Sequence, residues 1–305
     1  MRSSEPEISV VICTHDPRTD YLDRTLAALR AQTLSLERWE LLLIDNVCET
    51  PLAGRIDLGW HCAARIVRED TLGLTPARLR GIEEAAAPLL VFVDDDNVLA
   101  LDYLEVALRV AAEKPFLGAW SGASVPEFDA DPPAWMRRYW GHLALRQPER
   151  DLWSNLPREA ETLPCGAGLC VRAEVARHYL MLNRSGKRRF QLDRTGKSLI
   201  SGGDQDLAVC ACDLGLGVGV VAALRLTHLI PAVRLTLDYH ARLAEGIHFS
   251  DVLIAASRGY DLRDYRVRWT QVVRAMMAPG PHRRVQFACL TGRRRGLAYV
   301  AQANG

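Results

Sequence analysis

The chain has 305 residues, of which 49% are hydrophobic and 25% charged, the composition of an ordinary folded protein with a sizeable core. Its formal net charge of +1 argues against a dedicated nucleic-acid binder, which needs a clear basic excess. The charge is uneven, because residues 261–305 hold nine Arg, two Asp and no Lys or Glu, a local charge of about +7.

Cysteine usage and hydropathy indicate a reducing compartment. The eight cysteines form no C-x-x-C pair and several lie in apolar runs, so we expect free thiols instead of a zinc ribbon or a disulfide framework. The N-terminus shows no apolar signal region, and the longest apolar stretch, residues 214–224, is too short to span a bilayer. We therefore expect a cytoplasmic protein.

The first 115 residues alternate strand and helix patterns. Apolar runs predict strands at 8–13, 40–45, 64–67 and 89–93. Stripes of apolar residues predict helices at 21–31, 75–87 and 103–112, the second opening with a hydroxyl residue and a proline, Thr75 and Pro76. Strands that are apolar on both faces and alternate with helices indicate an α/β fold, with a mostly parallel central sheet and helices on both faces.

Polar residues follow three of these strands, at 14–16, 45–46 and 94–97. Ligands of parallel sheets bind at the carboxyl ends of the strands. The three consecutive carboxylates at 94–96 need a positive partner, and a divalent cation that bridges carboxylate and phosphate oxygens would supply one. Capping of the next helix is the alternative, although a cap needs only one Asp.

Residues 120–164 contain several aromatic side chains among prolines, without a clear period, and predict a loop-rich insert. They include Trp120, Trp135, Tyr139, Trp140 and Trp153. Core packing is one interpretation of these residues, and a surface for carbohydrate or other hydrophobic contacts is the other. Trp135 is the candidate contact for an acceptor.

Five motifs resemble those of the inverting family 2 glycosyltransferases in their order and spacing. They lie at residues 10–15, 42–46, 73–81, 91–96 and 201–207, and the similarity covers roughly residues 8–240. The resemblance implies a GT-A fold and a nucleotide-diphosphate sugar as donor. It also implies a GT-A domain over residues 1–245, with a nucleotide-binding half to about 115 and an acceptor and catalytic half from 116. A helical, Arg-rich extension over 246–305 would follow.

The resemblance implies roles in donor binding. The carboxylates at 94–96 are similar to the family's D-x-D motif, so Asp96 would hold Mn²⁺ or Mg²⁺, and Asp94 or Asp95 would touch the ribose or share the metal. Asp45 matches the carboxylate that reads the base, with uridine preferred. Arg78 matches an arginine placed to pair with Asp45 or with the nucleotide.

The remaining donor-side candidates come from the ends of other segments. Thr14 and His15 lie where the family's first strand supports the nucleotide, although a lone His is also a common turn residue. His228 would complete the metal shell or contact the diphosphate, or it is a hydrogen-bonded core residue. The glycine-rich segment 164–168 would lie under the donor or the acceptor.

Inversion requires a base that takes the proton of the acceptor hydroxyl. Asp204 aligns with the base position of the family's G-x-E-D-x-x-L motif. Gly203 stands where the family often has Glu, so Asp206 is the reserve candidate. A helix cap is the alternative role for either Asp.

The sequence thus predicts an inverting, metal-assisted glycosyltransferase of the hexosyltransferase class. It would move a sugar from a nucleotide-diphosphate donor, with UDP-sugars favoured, to a hydroxyl of a glycan or a lipid-linked saccharide. The alternatives are a catalytically silent GT-A-like binding or scaffold subunit and a sugar nucleotidyltransferase. Against the latter, residues 13–17 lack a glycine-rich, basic phosphate loop.

The Arg-rich C-terminus has two main interpretations, a solvated surface or a peripheral contact with anionic lipid at the inner face of a membrane. We expect no nucleic acid as partner, because no basic platform with interleaved aromatic residues accompanies the arginines.

Overall fold

The computed structural model describes residues 5–186, 190, 192 and 200–304, and within that part of the chain nine strands and eight α-helices form. The strands are β1 (Ile8–Thr14), β2 (Trp39–Asn46), β3 (Ala64–Glu69), β4 (Leu89–Val93), β5 (Asn97–Leu99), β6 (Leu117–Phe128), β7 (Leu152–Ser154), β8 (Leu169–Arg172) and β9 (Gly217–Ile230). The helices are α1 (Thr19–Arg30), α2 (Leu74–Glu84), α3 (Tyr103–Glu113), α4 (Ala173–Arg184), α5 (Gly203–Asp213), α6 (Leu237–Ser257), α7 (Trp269–Met277) and α8 (Gly280–Asn304).

The chain divides into two compact units. The first comprises Met1–Glu127, Ala144–Ser185 and Asp204–Leu229, and holds the sheet with helices α1 to α5. The second comprises Phe128–Leu143, Gly186–Gly203 and Ile230–Gly305, and holds helices α6 to α8. The domain boundary expected at residue 245 stays a prediction.

The sheet runs in the order β3-β2-β1-β4-β8-β6-β9-β5, with β7 paired to β9. Strand β1 pairs in parallel with β2 and β4, and β2 pairs in parallel with β3. Strand β8 is antiparallel to β4 and β6, and β9 is antiparallel to β5 and β7. The predicted α/β fold is confirmed. Its parallel pairing is that of the first four strands, and strands β5 to β9 add antiparallel pairs that the sequence pattern did not place.

The parallel strands are buried on both faces, which explains their uninterrupted apolar runs. Val10 and Leu41 belong to a core that includes the buried stripe of α1. Val11 and Leu42 point to the opposite face, where they join a core with residues of α2, α4 and α5. The apolar runs therefore end where the strands leave the core, and polar side chains are concentrated at that edge of the sheet.

Helix α2 begins two residues earlier than the predicted cap, Thr75, and first helical residue, Pro76, indicate. Its N-cap is Gly73, with φ of 139°, a conformation that favours glycine. The Gly73 N–H donates to Asn46 Oδ1 at 2.8 Å. This bond ties the start of the helix to the end of β2.

The segment 120–164 is more regular than predicted. It includes most of β6 and a 3₁₀ helix, Ala134–Leu143. Trp120 lies in β6 and has no exposed surface, so the core interpretation is the correct one for this residue. Trp153 is 55% exposed and packs against Phe116, with ring centroids 4.7 Å apart.

Two further expectations concern the whole chain. All eight cysteines are free thiols; Cys48, Cys170 and Cys210 are buried and Cys62 is exposed. Among the described residues, no helix combines the length and the apolar character needed to cross a membrane.

Gly81 allows α2 to lie directly against β1. A Cβ added at Gly81 would lie 2.4 Å from Cγ1 of Val11, which is buried. Alanine favours a helix by about 1 kcal/mol over glycine, but overpacking a core costs about 1–3 kcal/mol. We therefore expect Gly81→Ala to lower the free energy of unfolding by about 1 kcal/mol or more, measured by urea unfolding.

The matched background is Val11→Ala, which removes Cγ1 of Val11, the atom that a Cβ at position 81 would meet. In that background, Gly81→Ala should be neutral or stabilising. Equal stability of Gly81→Ala and the parent chain would contradict the close approach of α2 to β1.

Candidate active site

The carboxyl ends of β1, β2 and β4 meet at one edge of the sheet, since these strands are parallel neighbours. The register places Thr14 opposite Asp45, and Ile12 opposite Val93, the last residue before the three carboxylates. The Thr14 hydroxyl donates to Oδ2 of Asp95, and the Thr25 hydroxyl donates to the Asp95 carbonyl oxygen at 3.2 Å. Asp95 is therefore held against β1 and α1.

Asp94 lies at the centre of a group of charged side chains. Burial raises the pKa of Asp94, and the neighbouring Asp96 carboxylate raises that pKa further. Arg78 and His228 lower the pKa of Asp94, while Asp204 raises it. Four predicted site residues thus share the electrostatic surroundings of Asp94. Three of the five groups are carboxylates, one is a guanidinium and one is an imidazole.

Asp96 and His228 form a pair of donors. Strands β5 and β9 place Asn97 opposite His228, and His228 Nε2 lies 3.3 Å from Asp96 Oδ1. Asn97 Nδ2 donates to the same Asp96 oxygen at 2.9 Å, and the Leu229 N–H donates to the Asp96 carbonyl oxygen at 2.9 Å. Both side chains are buried. A carboxylate oxygen beside an imidazole nitrogen is a donor set that fits Mn²⁺.

Within the described chain, no group of three or more His, Cys, Asp and Glu side chains is arranged to hold a metal ion. Asp96 and His228 would therefore supply two donors. Metal ions that assist reactions of phosphates are commonly bound by one or two protein groups, with the remaining positions filled by phosphate oxygens and water.

Asp204 is positioned by a glycine backbone. It is the second residue of α5, and its Oδ2 accepts the Gly166 N–H at 2.7 Å. A Cβ on Gly166 would lie 3.1 Å from that oxygen and 3.2 Å from Arg78 Nη2, so a larger residue would disturb both side chains. The predicted glycine-rich segment 164–168 therefore lies beside the candidate base and Arg78.

Asp206 has a different environment. Two residues along a helix correspond to about 200° of rotation, so Asp206 projects from nearly the opposite face of α5 to Asp204. Asp206 is 1% exposed, whereas Asp204 is partly exposed. Of these two carboxylates, Asp204 is therefore the one that a ligand can reach.

Asp45 is held inside the protein by three donors. Its Oδ1 accepts from Arg68 Nη1 at 2.7 Å and from the Cys48 N–H at 3.1 Å. Its Oδ2 accepts the Leu52 N–H at 2.9 Å. Burial alone would raise the pKa of Asp45, but these hydrogen bonds and the Arg68 charge lower it below the ordinary value. Arg68 was not among the predicted site residues.

His15 and Asn46 connect the loops around the ends of β1 and β2. His15 is part-exposed, and its Nδ1 lies 2.8 Å from the Asn46 carbonyl oxygen. The Asn46 side chain donates to the Thr71 carbonyl oxygen at 2.7 Å and accepts the Gly73 N–H. This connection orders the segment that precedes α2, the helix that carries Arg78.

Trp135 belongs to the second compact unit. Its ring meets His240 edge-on, with centroids 5.5 Å apart, and it is half-buried. Its role as an acceptor contact stays a prediction.

The chain matches a known protein family. The family model described as glycosyl transferase family 2 matches residues 9–173, more than half of the sequence. The chain therefore belongs to glycosyl transferase family 2, as the five motifs predict. Membership in a glycosyltransferase family argues against the sugar nucleotidyltransferase alternative.

The chain is similar to two curated proteins over part of their length. It is 34% identical over 114 residues to validoxylamine A glucosyltransferase from Streptomyces hygroscopicus subsp. jinggangensis, which is 36% of this chain and 26% of that protein. It is 24% identical over 111 residues to the putative glycosyltransferase EpsH of Bacillus subtilis, 36% of this chain and 31% of that protein. The matched region thus spans less than a third of each relative.

The fold is similar to that of a solved structure, the S. aureus TarS fragment 1–349. The TM-score is 0.52 at 13% identity, over 97% of this chain and 91% of the TarS chain. At this identity the likeness concerns the fold alone. Together with the family match, it confirms the predicted GT-A fold.

The Asp45–Arg68 pair gives a testable pH dependence. The pKa of Asp45 is lowered on folding, so its stabilising contribution is complete above the ordinary carboxyl pKa of about 4 and disappears as the pH falls through the folded value. We expect Arg68→Gln to lower the free energy of unfolding by about 1–3 kcal/mol at pH 7.

This difference from the parent chain should shrink below about pH 4. The control is Arg55→Gln, which removes an arginine whose side chain makes a single hydrogen bond among the described residues, to the Thr50 carbonyl oxygen at 3.4 Å. Chemical unfolding at a series of pH values measures both variants. A loss for Arg68→Gln that is the same at pH 7 and pH 3 would contradict the electrostatic explanation.

Proposed function

We propose that the chain is an inverting glycosyltransferase that moves a hexosyl group from a nucleotide-diphosphate sugar to a hydroxyl of an acceptor. The observation that supports this most strongly is the position of Asp204. Its partly exposed carboxylate shares the surroundings of Asp94 with Arg78, Asp96 and His228. The candidate base and the charged groups proposed to hold the diphosphate thus belong to one compact unit.

Asp204 has the chemistry that inversion needs. Its Oδ2 is held by the Gly166 N–H, while its Oδ1 has no hydrogen-bond partner among the described residues and is available for a proton. In the reaction, the acceptor oxygen forms a bond to the anomeric carbon as the bond from that carbon to the diphosphate breaks. The hydroxyl proton passes to Asp204, and the electron pair of the broken bond leaves with the nucleoside diphosphate.

The donor would be held at the ends of β1, β2 and β4. Arg78 is 5% exposed and its positive charge acts on Asp94, so it is the candidate partner of the diphosphate. Thr14 and His15 would order the nucleotide side, and Asp95 would contact the ribose. Asp45 would face the base, with a UDP-sugar as the favoured donor.

Asp45 would act in base recognition through the loop that it holds. Arg68 and the backbone N–H groups of Cys48 and Leu52 already donate to both of its oxygens. A hydrogen bond from the base to Asp45 would be an additional contact.

Asp96 and His228 are the candidate metal ligands. A bound Mn²⁺ or Mg²⁺ would act as a Lewis acid that offsets the charge on the departing diphosphate. The raised pKa of Asp94 supports a cation at this position, because carboxylates that repel each other are stabilised by positive charge. A silent scaffold subunit would gain nothing from this repulsion.

The acceptor would be a glycan or a lipid-linked saccharide. Trp135 is the candidate aromatic contact for it, and Asp206 is the reserve base. A lipid-linked acceptor would agree with a peripheral contact of the Arg-rich C-terminus with a membrane.

The base assignment predicts the behaviour of Asp204→Asn. The amide keeps the shape of the side chain but cannot accept a proton, so turnover should fall by about 10²–10⁴-fold. Binding of the nucleoside diphosphate should be nearly unchanged. Release of UDP from UDP-sugars, with water as acceptor, measures turnover when the acceptor is unidentified.

The matched variant is Asp206→Asn, which changes the neighbouring carboxylate on the other face of α5. It should keep turnover provided that circular dichroism shows the folded state. Wild-type turnover in Asp204→Asn would overturn the assignment.

The metal assignment predicts that EDTA stops turnover and that Mn²⁺ or Mg²⁺ restores it. Asp96→Ala and His228→Ala should remain inactive, or require much more metal, because each lacks one donor. Asp102→Asn is the control, since Asp102 is exposed and follows shortly after the same carboxylates. Full activity in chelator would exclude the metal role.

A further inference from the structure

Helix α7 in the second compact unit carries an apolar face that the protein leaves exposed. Trp269, Val273, Met276 and Met277 are 76%, 41%, 59% and 78% exposed. At helical spacing these four side chains fall within an arc of about 100°. Helix α7 packs against α8, and Ala275 is its buried residue. The four exposed apolar side chains are therefore left uncovered by the described part of the chain.

A cleft of about 440 Å³ lies beside this face. Its polar lining comes from Arg138, Thr270, Arg274, His282 and Gln286, and Val273 and Met277 of the exposed face line it too. Arg138 and Arg274 are exposed, and neither forms an ion pair with a described residue. Two unpaired guanidinium groups in one cleft are suited to a phosphate, which they can contact with two hydrogen bonds each.

The surroundings of α7 are positively charged. Residues 265–305 contain eight Arg and no Asp or Glu. Arg284 and Arg295 are paired with Asp238 and Glu245 of α6, which removes them from the free positive charge. The arginines of α7 and its N-terminal side, Arg266, Arg268 and Arg274, remain exposed.

We propose that α7 and this cleft form a docking surface for a bilayer that contains anionic phospholipid. The helix would lie in the headgroup region with its four exposed apolar side chains inserted, and a lipid phosphate would occupy the cleft between Arg138 and Arg274. A short amphipathic helix with Trp on one face and Arg around it is typical of interfacial binding. The inference deepens the peripheral contact proposed above, and it does not depend on the transfer reaction.

The charge distribution favours a bilayer over a second copy of the chain. In a two-fold symmetric dimer the same patch faces itself, which would bring these arginines together. An anionic membrane covers the apolar face and supplies phosphates to the arginines at the same time.

Sedimentation of the full chain with lipid vesicles tests the proposal. We expect binding to vesicles of phosphatidylcholine mixed with phosphatidylglycerol, weaker binding to phosphatidylcholine alone, and a decline with added salt. Each basic residue near an anionic surface contributes a factor of about five, so Arg138→Gln/Arg274→Gln should weaken binding by roughly 25-fold. Met276→Ser/Met277→Ser should weaken it by roughly tenfold or more, through loss of apolar insertion.

Two matched controls remove the same chemistry elsewhere in this unit. Val233→Ser changes a residue that is 62% exposed outside α7, and Arg242→Gln/Arg294→Gln removes two exposed charges from α6 and α8. Both should bind vesicles nearly as the parent chain does. Circular dichroism checks that every variant is folded, which the exposure of these positions favours.

Absence of binding by the parent chain, equal binding to both kinds of vesicle, or unchanged binding by the α7 and cleft variants would overturn the proposal. So would self-association in light scattering that is lost in Met276→Ser/Met277→Ser, because a second copy would then occupy the face. Release of UDP from soluble donors should be unchanged in these variants. Failure of the docking surface is thereby distinguished from failure of the proposed reaction.

Discussion

The repulsion between carboxylates at the end of β4 is the constraint on which the site depends. Strand β4 is buried, and Asp94 follows it directly, with Asp96 and Asp204 raising its pKa. A protein tolerates such a concentration of negative charge where a ligand or a neighbouring cation compensates it. Arg78 and His228 supply part of that compensation within the first compact unit, and the proposed metal and donor would supply the rest.

The fold brings these groups together through the register of its strands. The parallel strands deliver the carboxylates and Thr14 to one edge, whereas the antiparallel pairing of β5 with β9 places His228 beside Asp96. Gly166 lies so close to Asp204 and Arg78 that a side chain there would displace them. The candidate base and the candidate metal ligands are therefore positioned by backbone geometry, which favours a rigid site.

The first half of the fold could be predicted because its signals are local. The five apolar residues of β4 are bounded by a charge on one side, and its predicted limits agree with Leu89–Val93. The Asp45–Arg68 pair could not be predicted, because Arg68 lies in a strand outside every motif and only the β2–β3 register sets it opposite Asp45. The burial of Trp120 could not be predicted either, because it depends on antiparallel partners distant in sequence. The Arg excess of the C-terminus was visible, but the tertiary structure decides which arginines are paired and which surround α7.

The most direct test of the central claim is calorimetric titration of the chain with UDP, with and without Mn²⁺. If the carboxylates after β4 form a metal-linked donor site, Mn²⁺ should strengthen UDP binding in the parent chain and in Asp204→Asn, but not in Asp96→Ala. Equal UDP affinity in Mn²⁺ and in chelator, in all three proteins, would contradict the account.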